Sequence, residues 1–140
     1  VLWPNRANRA AFDKTMLAIY NSVKTNAVGP AVVDKPEDLF SDRTYNRGFM
    51  VLYALEKKIG QPMLYKVMRT WASNNRYRKV TTADFVNTVV SVTKDRSLRA
   101  FVNHWIYDAT VPALPNVSAS AVAEAAASTS LPTLVESRRR

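Results

Sequence analysis

The run Phe49-Met50-Val51-Leu52-Tyr53-Ala54-Leu55 is apolar on every face of a helix. A surface helix keeps a polar side, so a segment without one belongs at the centre of a fold. The helix that carries it is expected to start near Ser41 or Asp42, either of which has the side-chain oxygen needed to satisfy free backbone N–H groups. It then runs through Tyr45 and Phe49 to Ile59. Gly60 ends it by taking a left-handed conformation that other residues resist, and Pro62 suits the first turn of the next helix.

Working outward, the segments on both sides show the same helical period. Upstream, Asn5 can cap a helix whose apolar positions Phe12, Met16, Ile19 and Val23 recur three or four residues apart, and Gly29-Pro30 stops it. The stretch through Asp34, Pro36, Glu37 and Asp38 reads as a loop, because each proline biases its predecessor away from helical angles. Downstream, Leu64, Val67, Met68 and Trp71 form one stripe, followed by a polar, basic loop between Ser73 and Val80. Thr81-Thr82-Ala83-Asp84 has the form of a capping box ahead of Phe85, Val89 and Val92. A last helix from about Ser97 presents Leu98, Phe101, Val102, Trp105 and Ile106 and ends before Pro112.

No strand-like alternation of useful length and no internal repeat appears, so the expected fold is a compact all-α array of about five helices. Its core is expected to hold Phe49, Leu52, Leu55, Leu64, Val67, Trp71, Phe85, Val89, Phe101 and Trp105. Residues 1–115 are read as this helical unit. Residues 116–140 are read as a flexible Ala/Ser-rich tail with little to pack with, carrying at most a short helix across Val122 to Ala127. The opening Val1-Leu2-Trp3-Pro4 has no initiator Met and no signal segment, which reads as a piece cut from a longer chain.

Composition narrows the chemistry. With 140 residues, 47% of them hydrophobic, the chain can close one core, and its longest apolar run falls far short of the roughly 20 residues that span a bilayer. Cysteine is absent, which excludes disulfides, thiol nucleophiles and cysteine-rich metal sites. His104 is the sole histidine; it is expected on the polar side of the last helix, and a zinc site needing two histidines is impossible within this chain. The net charge of +9 comes from residues 43–104, where twelve basic side chains face three acidic ones. The charge is scattered over several segments with one local cluster at Arg76, Arg78 and Lys79, so weak, salt-sensitive association with polyanions is expected, without specific nucleic-acid recognition. The Trp71, Tyr77 and Trp105 rings are read as mainly core.

The block Arg43-Thr44-Tyr45-Asn46-Arg47-Gly48 resembles the Tyr-Glu-Lys-Gly element of the aminopeptidase N family of zinc aminopeptidases. The Gly60-Gln61-Pro62 junction, Thr81-Thr82-Ala83-Asp84-Phe85, and Trp105-Ile106-Tyr107 reaching Pro112 and Pro115 follow in the family's order. The resemblance covers Asp38 to Pro115 well and Trp3 to Val33 loosely. It implies the C-terminal helical half of a thermolysin-like peptidase catalytic domain, with zinc in the intact parent and a peptide as substrate. By the same resemblance Tyr45 matches the catalytic tyrosine that donates a hydrogen bond to the oxyanion of the tetrahedral intermediate. Gly48 would remove bulk one turn later and let the helix approach its neighbours closely.

Asn46 stands where the family usually has Glu, and Arg47 where it usually has Lys; neither is the oxyanion donor. The family's His-Glu-x-x-His helix, its following Glu and its Gly-x-Met-Glu-Asn-type loop do not occur in this chain. The resemblance therefore implies a fragment, inactive alone, whose partner is the missing N-terminal part of the same chain. Two other readings stay open at this point: a basic helical nucleic-acid or protein interaction module, and a family member that has lost its zinc ligands. A bland reading of Tyr45 stands beside the catalytic one, namely a buried ring with a hydrogen-bonded hydroxyl at a helix start.

Overall fold

A computed structural model of the chain describes residues 8–27, 29–33, 35–41 and 43–129. Six α-helices follow in order: α1 (Arg9–Thr25), α2 (Gly48–Ile59), α3 (Gln61–Asn74), α4 (Thr82–Thr93), α5 (Leu98–Tyr107) and α6 (Ala119–Thr129). Between α1 and α2 lie a 3-10 turn (Pro36–Phe40) and a π-helical turn (Arg43–Arg47). No described residue is in a strand, so the all-α class expected from the periodicity is the observed one. Asn5 and Asp42, both named above as caps, lie outside the described residues.

Helix α2 sits where its all-round apolarity demands. It contacts α1, α3, α5 and the π-helical turn, while α3 meets α4 and α4 meets α5, so α2 to α5 close a circuit of four helices. Met50, Ala54 and Leu55 on α2 are wholly buried. Each such side chain removed from water stabilises the fold by about 1.5–3 kcal/mol for residues of leucine size. Of the expected core, Leu55, Leu64, Val67, Val89 and Trp105 are buried, and Phe49, Phe85 and Phe101 pack partly buried against them. Leu52 and Trp71 are half-buried, and Trp71 meets Phe85 edge-on at 5.5 Å between ring centres. Phe12 of α1 meets Tyr53 of α2 in the same way at 6.0 Å, and Trp105 of α5 lies 6.4 Å from the ring of Tyr20.

The junctions show which local signals acted. Gly60 has φ 84° and ψ 154°, a region open essentially to glycine, and Pro62 opens α3. At α4 the Asp84 N–H donates to Thr81 Oγ1 (3.2 Å) and the Thr81 N–H donates to Asp84 Oδ2 (2.8 Å), a complete capping box. Ser41 acts differently from the expectation: its hydroxyl donates to the Asp38 carbonyl (2.7 Å), and its carbonyl accepts the N–H groups of Thr44 and Tyr45. The turn after it is π-helical, and α2 begins only at Gly48.

Two expectations need correction. The stretch from Val117, read as having little to pack with beyond a short helix across Val122 to Ala127, carries that helix over a longer span as α6, which lies on α1. Alanine is the best helix former, and its small side chain brings α6 close enough to bury Ala125. Asn21 of α1 donates to the Val122 carbonyl (3.0 Å), and Asn116 donates to the Lys57 carbonyl (2.8 Å), so side-chain amides join this segment to α1 and α2. Tyr77, grouped with the core aromatics, is fully exposed at the tip of the α3–α4 loop with φ 58°. The three cations around it, Arg76, Arg78 and Lys79, are exposed as well. No described helix is long and apolar enough to cross a membrane.

Candidate functional site

The π-helical turn carries the residues singled out by motif. Its N-terminal side is held by the Thr44 and Tyr45 N–H groups donating to the Ser41 carbonyl (3.0 and 3.2 Å), and by the Thr44 hydroxyl donating to the Asp38 carbonyl (3.2 Å). Tyr45 is 50% exposed. Its hydroxyl makes no hydrogen bond to a described residue, whereas the Tyr53 hydroxyl donates to Asp13 Oδ1 (2.8 Å) and the Tyr20 hydroxyl to the Pro112 carbonyl (3.2 Å). The bland reading of Tyr45 described a buried ring with a satisfied hydroxyl; that describes Tyr20 and Tyr53 instead. Gly48, one turn on, also differs from its expectation. A Cβ built there meets nothing within 4 Å, so it leaves open space on α2 and relieves no close contact between helices.

Arg47 is the residue the motif comparison undervalued. Two positions beyond Tyr45 on the same turn, it points to the nearly opposite side and is completely buried. Its Nε donates to the Trp105 carbonyl (3.0 Å), and its Nη2 donates to the carbonyls of Asp108 (3.0 Å) and Thr110 (3.1 Å). The first is a carbonyl in the last turn of α5, at the negative pole of the helix, the second belongs to the residue that caps it, and the third lies in the chain just beyond. Burial pulls the guanidinium below the ordinary arginine range, and the Asp108 carboxylate opposes that shift. Arginine titrates so high that the charge is retained. The signal available beforehand was a lone cation beside an all-apolar helix.

A second polar cluster joins α1 to α2. Arg9 forks onto both oxygens of Asp13 (2.9 and 2.8 Å) and also pairs with buried Glu56, while Lys57 reaches Asp13 Oδ1 at 3.1 Å. Partial burial by itself would raise the Asp13 carboxyl, but hydrogen bonds from Arg9, Tyr53 and Lys57 together outweigh it and hold the carboxyl below its ordinary value. Burial first, and then the bond to Asp13, push the Tyr53 phenol far up. The i, i+4 spacing of Arg9 with Asp13 and of Tyr53 with Lys57 was visible in the sequence; that the two pairs face each other was not. His104 is exposed on α5, as expected, with Nδ1 2.9 Å from Asp108 Oδ2.

The all-α unit, with Tyr45 half exposed at the head of its central helix, takes its class from a family match. Residues 6–105 match the peptidase family M1 domain, and the chain belongs to that family of peptidases. No curated protein and no solved structure shows a match. The zinc implied by the resemblance can be tested against the donors present. Among the described residues no group of three or more His, Asp or Glu side chains could hold a metal ion. The two carboxylates that come together, Asp13 and Glu56, are already engaged by Arg9. The donors among the described residues do not fit a zinc centre.

Proposed function

We propose that the chain is the C-terminal helical part of the catalytic domain of a zinc aminopeptidase, with residues 1–115 forming that part and Tyr45 serving as the oxyanion donor. The supporting observation is the Tyr45 phenol: exposed, unpaired among the described residues, and mounted on a turn that is tied down on both sides. An oxyanion donor has to be fixed before negative charge develops, and its hydrogen must not be spent on a protein acceptor in the ground state. The open space at Gly48, three residues beyond Tyr45 at the head of α2, leaves room for a substrate segment.

In this reading the hydrolytic centre is completed by residues outside these 140, because one histidine and no cysteine cannot supply it. The isolated chain accordingly binds no stoichiometric zinc and cleaves no peptide. What the chain does supply is a hydroxyl that donates its hydrogen bond to the substrate oxygen as that oxygen becomes negative. The experiment is a comparison of peptide substrates with the full-length protein that contains this chain. Release of the N-terminal residue from a free peptide, with no cleavage of the same peptide when N-acetylated, is the expected result. Equal cleavage of both, or internal cleavage, contradicts the aminopeptidase reading while leaving membership of the family intact.

A further inference from the structure

We infer that Arg47 is the positioning residue for Tyr45, acting by pinning the π-helical turn to the carboxyl end of α5. This rests on the proposed role of Tyr45 and adds a residue to which the resemblance gives no function. The turn is short and sits between the 3-10 turn and α2, so its shape depends on what holds it. On one side are the bonds to Ser41 and Asp38; on the other is the Arg47 guanidinium, which spans three carbonyls with two of its nitrogens. With both in place, the backbone of Tyr45 is clamped between them while its side chain stands half exposed.

The guanidinium is suited to this by shape as well as charge. Its nitrogens diverge in a fixed plane, so Nε and Nη2 reach carbonyls on both sides of the α5 terminus at once. A lysine ammonium, which the family usually has at this position, concentrates its donors at one point and engages fewer of these three carbonyls at once. Releasing one of these carbonyls would let the turn tilt about the remaining bond. Misplacing a reacting or stabilising group by about 1 Å can cost as much as a hundredfold in rate, even when the altered residue never touches substrate.

The test is a four-member cycle in the full-length protein: wild type, Tyr45→Phe, Arg47→Lys, and the double variant, each assayed for kcat and KM with melting temperature recorded. Arg47→Lys keeps a buried positive charge, which makes it safer than Arg47→Met, whose fold is at greater risk. The expected result is a fall in kcat of about tenfold or more for Arg47→Lys with KM little changed, and almost no further loss when Tyr45→Phe is already present. A 3-fluorotyrosine at position 45 supplies a readout independent of turnover: its 19F resonance is expected to shift or broaden in Arg47→Lys.

An equal kcat loss with and without the Tyr45 hydroxyl, or an unchanged 19F line, overturns the positioning role. Normal kcat in Arg47→Lys beside a slow Tyr45→Phe overturns it too and leaves the role of Tyr45 standing. Normal turnover in Tyr45→Phe removes both.

Discussion

Asp13 shows how one side chain can hold two helices and report on pH. Its folded-state carboxyl lies below the ordinary value of about 3.9, so between the two values the unfolded chain binds the extra proton and stability rises with pH. The stabilisation is therefore complete above the unfolded pKa and is lost as pH falls through the folded one. In urea unfolding, Asp13→Asn is expected to be less stable than wild type at pH 7, with the gap closing below about pH 4. A gap independent of pH would mean that the carboxylate's charge is not what matters. Gly48 makes a second case at this scale. Because a Cβ meets nothing there, Gly48→Ala is expected to stabilise the isolated chain by about 0.5–1 kcal/mol through helix propensity alone, seen as a raised unfolding midpoint. A loss of stability would show that the helix head cannot accept a side chain.

Among the elements, those ruled by neighbouring residues were legible and those ruled by distant ones were not. Thr81 and Asp84 satisfy each other across three positions, so the start of α4 could be read directly. Thr81→Ala is expected to cost about 1 kcal/mol in urea unfolding, and an effect near zero would mean that α4 is held by packing alone. Gly60 likewise needs only its own backbone angles to end α2. The π-helical turn was read as ordinary helix because apolar spacing does not distinguish the two. What fixes it on the far side is a set of carbonyls 58 to 63 residues further along the chain. The length and packing of α6 were less legible for a related reason: an Ala/Ser run looks inert until the face of α1 that receives it is known.

At the scale of the whole molecule, the four-helix circuit and α1 provide the mount, and Tyr45 stands at the head of its central helix with its hydroxyl unpaired among the described residues. The all-α class was readable from the helical spacing repeated along the chain, and the motif that nominated Tyr45 from the short stretch 43–48. The exposure of the phenol and the anchorage behind it depend on the assembled fold and became visible only there. The most direct measurement is steady-state kinetics of the full-length protein and its Tyr45→Phe variant, with zinc content and melting temperature taken on the same samples. Removing one preformed oxyanion donor is worth about 3 kcal/mol, so kcat is expected to fall on the order of a hundredfold while KM, metal content and stability stay near wild type. Normal turnover in the variant, or a loss traced to missing zinc or a destabilised fold, would contradict Tyr45 as the oxyanion donor.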